Sequence, residues 1–215
     1  MSPSLRKERV VFEERQDRPR WLARRLGSYL GGTVLDVGCD RAVLREVVGA
    51  GRYTGIDRSP EADVRHDLQG GGRLPFADRS FDTVVCTDVL EHLDNLHEVF
   101  DEIVRVTGRF LVISLPNCWN AARVRLRRGK GSFKHYGLPL DPPEDRHRWF
   151  FSFDEARSFL EGQAARKGLE VRELIVLEKP RSLLLRGLRR LRYPSRRRYL
   201  NLYTHTLVCV YRVAE

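Results

Sequence analysis

Two short segments constrain this chain more than any others: Thr33-Val34-Leu35-Asp36-Val37-Gly38-Cys39-Asp40 and Tyr53-Thr54-Gly55-Ile56-Asp57. Each reads as a buried strand, an apolar and β-branched run that stops on an acidic residue, and the first breaks into a tight glycine turn. Between them Val43, Leu44, Val47 and Val48 recur at helical spacing, so a helix over Arg41 to Val48 joins the two strands and makes them parallel. In an open parallel sheet, ligands sit beyond the carboxyl ends of the strands. A glycine turn facing a carboxylate-tipped neighbour suits a nucleoside there.

The same reading extends along the chain. Thr83 to Thr87, Arg109 to Ser114, Leu169 to Leu177 and Thr204 to Val213 are strands, with a shorter extended piece at Val64 to Leu68. Only Arg58 to Asp63 separates Ile56 from Val64, which leaves little room for a full crossover helix. Asn95 with Glu98, and Ser152 with Glu155, have capping-box spacing ahead of helical apolar patterns. Arg9 to Leu30 carries Val10, Trp21, Leu22 and Leu26 among charges and is expected to form one or two amphipathic helices. The alternation predicts an α/β fold with a doubly wound sheet and helices on both faces. A single domain is expected over 1–215, with a helical N-terminal segment at 1–30, a core at 31–116, an insertion at 117–150, and a C-terminal part at 151–215 that contains a basic segment at 181–198. The insertion is rich in Arg, Gly, Pro, Trp and His and has no clear period, which suggests a functional lid or a surface loop stapled to the core by Trp149, Phe150 and Phe151.

Composition narrows the class. At 215 residues with 41% hydrophobic, the chain can bury one sizeable core. Cys39, Cys86, Cys118 and Cys209 are scattered with no CxxC pair, so neither a disulfide framework nor a zinc knuckle is expected. The first twenty residues lack the apolar core of a signal peptide and no apolar run approaches a membrane span, so a cytoplasmic location is expected. The formal net charge of +10 is concentrated at 123–134 and 181–198, away from the acidic stretch 36–102. That asymmetry suits contact with an anionic membrane or nucleic acid, although a solvated surface explains it equally well.

Val34-Leu35-Asp36-Val37-Gly38-Cys39, Ile56-Asp57, Leu74-Pro75-Phe76 through Ser80-Phe81-Asp82, and Asp88-Val89-Leu90-Glu91-His92-Leu93 follow one another in the order of a known set of motifs. In these segments, over about residues 30 to 115, the chain resembles a class I S-adenosylmethionine-dependent methyltransferase of the type 11 group. The resemblance implies a Rossmann-like, seven-stranded, mostly parallel sheet whose last strand is antiparallel, and S-adenosyl-L-methionine as cofactor. It implies a cofactor pocket made by Asp36, Gly38, Cys39 and Asp40 at the methionine half, Asp57 and Arg58 at the ribose, Asp67 and Leu68 at the adenine, and Asp88 beyond the next strand. Physically, Gly38 would let the backbone approach the cofactor, and the Asp57 carboxylate can accept from both ribose hydroxyls. The family pattern continues Gly-Cys-Gly-x-Gly, whereas this chain has Gly38-Cys39-Asp40-Arg41-Ala42. Asp tolerates the left-handed backbone better than most residues and Ala is the smallest after Gly, so the turn is expected to survive.

Methyl transfer needs alignment more than acid or base, but a hydroxyl or protonated amine acceptor needs a proton acceptor. His92 and Asp88 are the candidates beside the pocket, and His135, Tyr136, His147 and Trp149 of the insertion are candidate substrate contacts. Asp88, Glu91 and His92 would converge on one face if helical, a spacing similar to the magnesium site of certain O-methyltransferases, but such strings are common without a metal and none is expected here. The expected reaction is methyl transfer to oxygen or nitrogen of a small or lipid-linked acceptor. The alternatives are an RNA methyltransferase, or a non-catalytic module of the same fold that sits on a membrane or partner through its basic segment.

Overall fold

The computed structural model describes residues 5–14, 16–133, 135–143 and 145–214. Lys134, which ends the first basic cluster, lies outside the described residues. In chain order the elements are β1 (Leu5–Arg9), α1 (Asp17–Leu26), β2 (Val34–Val37), α2 (Leu44–Val48), β3 (Tyr53–Asp57), β4 (Val64–Arg65), β5 (Phe81–Thr87), α3 (Leu96–Val106), β6 (Thr107–Pro116), α4 (Cys118–Arg128), α5 (Phe153–Lys167), β7 (Glu170–Glu178), α6 (Leu183–Arg192), α7 (Arg196–Tyr203) and β8 (Thr204–Arg212).

The strands form one sheet in the order β1-β7-β8-β6-β5-β2-β3-β4. β8 runs antiparallel between β6 and β7, and every other pairing is parallel. Period-2 alternation sends successive side chains to opposite faces. Leu111 and Ile113 of β6 and Cys209 and Tyr211 of β8 pack with α3 and α5, while Val112, Val208 and Val210 face the cluster built on Trp21, Leu22 and Leu26 of α1. No helix intervenes between β3 and β4, as the short connection requires.

Three elements differ from the sequence reading. The sheet has eight strands rather than seven, because the expected N-terminal helical segment opens with β1, an edge strand parallel to β7. Its Leu-Arg-Lys-Glu-Arg sequence is charged as edge strands commonly are, so it carries no apolar alternation to read. The insertion contains α4, whose buried face is only Cys118 and Ala122, too small to register as a helical stripe. Asn95 does not cap α3 with its side chain, since its Nδ2 donates instead to Leu68 O at 2.9 Å. The Ser152 and Glu155 capping box does form at α5. In the basic segment, Leu184, Leu188 and Leu191 lie on α6 and are exposed.

β1 is fastened by polar contacts. Arg25 of α1 donates to Glu8 of β1 and, at 2.7 Å, to Glu173 of β7, which also accepts from Tyr29 at 2.8 Å. Burial pushes the Glu173 carboxyl up, but the bonds from Arg25 and Tyr29 outweigh it and hold the group below its usual range. Arg25→Ala leaves a carboxylate with only 11% side-chain exposure to the longer contact with the exposed Arg6, at 3.4 Å, and should lower stability by about 2 kcal/mol in urea unfolding. Because the folded pKa is depressed, this stabilisation is present at neutral pH and is lost as pH falls through the carboxylate range. The gap between wild type and variant should therefore narrow in acid.

Candidate active site

The turn after β2 is stitched to β3. Gly38 N donates to Ile56 O at 2.8 Å, and Asp40 N donates to Asp57 Oδ2 at 3.1 Å. Asp40 and Ala42 adopt φ of 47° and 52°, so the left-handed turn persists without the family's later glycines. Gly38, at φ 75°, is required by a neighbour rather than by open space for a ligand: a Cβ there would lie 2.3 Å from Val89 Cγ2. Gly38 therefore packs the turn against the segment after β5.

Asp57 is half-buried, and besides Asp40 N it accepts from Ser59 N through Oδ1 at 2.9 Å. Each carboxylate oxygen offers about two lone pairs, so both keep capacity for a further donor such as a ribose hydroxyl. Arg58 beside it is exposed. Asp67 is exposed and caps the short turn Leu68–Gly70 by accepting from Gln69 N at 3.0 Å, while Leu68 is buried beside it. Gln69 joins this loop to the segment after β5, with Nε2 donating to Asp94 Oδ2 at 2.7 Å. A carboxylate with unspent acceptors, a stitched backbone turn and an apolar wall fit an adenosyl group.

Asp36 is buried and accepts from Tyr53 OH at 2.9 Å. Burial pushes its carboxyl up to about 7; the Tyr53 bond opposes this and nearby Asp57 adds to it. Cys39 is buried too, and burial with Asp36 and Asp57 nearby pushes its thiol up to about 12, so it is a packing residue and not a nucleophile.

After β5 the chain turns through Asp88, at φ 53°, into a short 3-10 turn over Leu90–His92. Asp88, Glu91 and His92 therefore do not share a helix face. Asp88 is held by an ion pair with Arg18 of α1 and accepts from Ser114 Oγ of β6. Arg18 was invisible as a site residue, since nothing in its sequence neighbourhood separates it from the other arginines of α1. Glu91 is 1% exposed, and burial, with Asp88 adding, pushes its carboxyl well above the usual range.

The insertion lies on this segment. Arg148 N donates to Glu91 O at 2.8 Å and Trp149 Nε1 to Leu93 O at 2.7 Å. His92 Nδ1 faces Arg146 O at 3.2 Å and Asp145 Oδ1 at 3.1 Å. His135 stacks on His147 with ring centroids 4.4 Å apart, and His92 lies edge-on to His147 at 4.5 Å. Tyr136 OH meets His147 Nδ1 at 2.7 Å, and burial together with His92 and His135 lowers the His147 pKa to about 4. Three of the four candidate insertion residues, His135, Tyr136 and His147, are thus brought together with His92, while Trp149 anchors the loop by its indole N–H. Trp149 and Phe150 remain partly exposed, which is not the behaviour of hydrophobic staples, whereas Phe151 does pack against the core.

Residues 35–110 match the sequence profile of a methyltransferase domain family. Among curated proteins no sequence matches the chain. A methyltransferase from Archaeoglobus fulgidus, described as dependent on S-adenosylmethionine, is similar in structure, with TM-score 0.56 and 16% identity over 94% of this chain and 96% of the other. The magnesium protoporphyrin IX methyltransferase of Synechocystis PCC 6803, solved with bound S-adenosylhomocysteine, superposes with TM-score 0.51 and 16% identity over 91% of this chain and 82% of the other. A methyltransferase from Mesorhizobium loti gives TM-score 0.52 and 14% identity over 90% and 97%. This chain shares the fold of these methyltransferases, and its motif order matches the methyltransferase domain over residues 35–110. No helix among the described residues is long and apolar enough to cross a membrane.

The raised Asp36 carboxyl makes a stability prediction. In the unfolded chain Asp36 ionises near pH 4, whereas in the fold it keeps its proton until about 7. The folded state therefore loses stability as pH rises across that window. Asp36→Asn removes the ionisation, so the variant should gain on wild type between pH 4 and pH 7, on the order of a few kcal/mol at the top. A pH-independent difference in denaturant unfolding would exclude the buried, protonated carboxyl.

Proposed function

We propose that the turn from Asp36 to Ala42, with Asp57, Arg58, Asp67 and Leu68, holds S-adenosyl-L-methionine, and that the methyl group goes to oxygen or nitrogen of a lipid-linked acceptor. The observation that carries the first half is Asp57, half-buried at the tip of β3, holding the turn through Asp40 N with acceptor capacity left on both oxygens. When bound, the cofactor supplies a methyl already activated on sulfonium, so the chain's residues need only align it and relieve the acceptor of a proton. Asp57 orients the ribose and Asp67 the adenine. Asp88 is committed to Arg18 and Ser114 and acts as a positioning residue, which leaves His92, with Glu91 and His147 around it, to face the acceptor. Tyr136, His135 and Trp149 shape the insertion as the acceptor's cover.

The lipid-linked reading is supported by the helices that come after β6 and β7, at the same edge of the sheet. α6 carries Leu184 and Leu188, 76% and 55% exposed, among Arg186, Arg189, Arg190 and Arg192. Arg123 of α4 and Arg189 of α6 both lie over the Tyr203 ring of α7 at 4.4 Å, joining the three helices into one cationic platform. Beneath α6 runs a groove of about 580 Å³ with Leu5, Val176 and Leu200 in its lining and Lys7, Arg186 and Arg190 alongside. An exposed leucine stripe ringed by arginines suits an anionic bilayer, the surface from which a lipid-linked acceptor would enter.

Two measurements test these halves separately. In calorimetric titration with S-adenosylhomocysteine, wild type should bind and Asp57→Ala should bind at least tenfold more weakly with its circular dichroism unchanged. Equal affinity would remove Asp57 from the pocket. In flotation with vesicles containing anionic lipid, Leu184→Glu with Leu188→Glu should abolish most of the partitioning. Partitioning that is unchanged, or a salt-sensitive affinity for RNA in its place, would turn the reading toward a nucleic-acid acceptor.

A further inference from the structure

We infer that Glu91, His92 and His147 form a binding site for a divalent first-row transition ion of the zinc type, and that the ion's open position takes a hydroxyl oxygen of the acceptor. Its second half rests on the functional reading above, and its first half stands alone. One ligand atom from each of the three residues lies within 4.8 Å of the others. Tetrahedral zinc separates its ligand atoms by roughly 3.3 Å, so modest side-chain rotations close the set.

Both imidazoles are turned the right way by partners on their far nitrogens. His92 Nδ1 faces two groups that only accept, Arg146 O and the Asp145 carboxylate, so that nitrogen carries the hydrogen and Nε2 presents its lone pair, 3.9 Å from Glu91 Oε1. Tyr136 OH has a single hydrogen, for which Trp149 O at 2.9 Å and Cys118 Sγ at 2.8 Å are the acceptors. The hydroxyl then accepts from His147 Nδ1–H, which frees His147 Nε2 as a second donor of electrons. Such outer partners fix tautomer and ring orientation in metal sites.

Glu91 supplies the independent observation. Its side chain is buried in the wall of the cluster, and Oε2 has no hydrogen-bond partner among the described residues. A buried carboxylate oxygen without a partner is costly, and a cation between Glu91 and the two imidazoles would satisfy it. Asp88 stays outside the set because Arg18 and Ser114 hold it. Two imidazoles and one carboxylate select a transition ion over magnesium, which prefers an all-oxygen shell. This differs from an Asp88, Glu91 and His92 magnesium triad, because the third ligand comes from the insertion. The two hydrogen bonds that pin residues 148 and 149 onto Glu91 and Leu93 hold that ligand in place.

The test is titration of chelator-treated, full-length protein with zinc chloride, without cofactor or acceptor. One equivalent should bind with a dissociation constant at or below the micromolar range. His92→Ala, His147→Ala and Glu91→Gln should each weaken binding at least tenfold while keeping the wild-type melting curve of the metal-free protein. His97→Ala, at a histidine outside the cluster, should not weaken it. Magnesium should not compete at a hundredfold excess. No binding, equal binding by the three variants, or effective competition by magnesium would each overturn the site. Titration of the same variants with S-adenosylhomocysteine separates the two readings: retained affinity there, with no zinc bound by wild type, refutes the metal site and leaves the cofactor pocket standing.

Discussion

The structure depends on a single stitch. The turn leaving β2 hangs on β3 through Gly38 N to Ile56 O and Asp40 N to Asp57 Oδ2, both made by backbone amides of the turn. Those two bonds set how far apart the first two strand tips sit. With Ser59 N donating to Oδ1, each Asp57 oxygen has one backbone donor and room for another. Val89 closes the other side of the turn, where its approach leaves no room for a Cβ at Gly38. Substituting Asp and Ala for the later glycines imposes a left-handed backbone on two ordinary residues, a strain of about 1 kcal/mol or more each, and the stitch holds them there.

From that turn the rest of the carboxyl edge assembles by polar contacts between loops. Gln69 ties the loop after β4 to Asp94, Asn95 ties α3 to the same loop, and the insertion lands on Glu91 and Leu93. The proposed cofactor and acceptor sides thus share the segment from Asp88 to Asn95. The titratable groups there are sorted by burial. Asp36 and Glu91 are pushed up and His147 down, each by desolvation first, so the interior of the edge is close to neutral. The basic charge stays on α4, α6 and α7, where it is solvent-facing.

The six inner strands were legible because each is an apolar run bounded by turn residues, and the missing crossover after β3 followed from chain length alone. β1 was not legible, since an edge strand stabilised by ladder bonds and by Arg25 needs no apolar alternation. α4 escaped for the converse reason, a helix whose buried face is two small residues. In the proposed site, Asp57, Asp67 and Leu68 were named from motif order. Arg18 could not be, because its pairing with Asp88 joins residues far apart in sequence that no local pattern relates. The clustering of His92 with His135 and His147 was equally hidden, as it arises from how a loop without periodicity folds back.

The central claim is that the Asp57 tip and the stitched turn together cradle the adenosyl group. A crystal structure of the protein grown with S-adenosylhomocysteine tests it most directly. The account predicts both ribose hydroxyls within hydrogen-bond distance of Asp57, with the adenine against Leu68. A ligand bound elsewhere, or ribose hydroxyls that make no contact with Asp57, would contradict it.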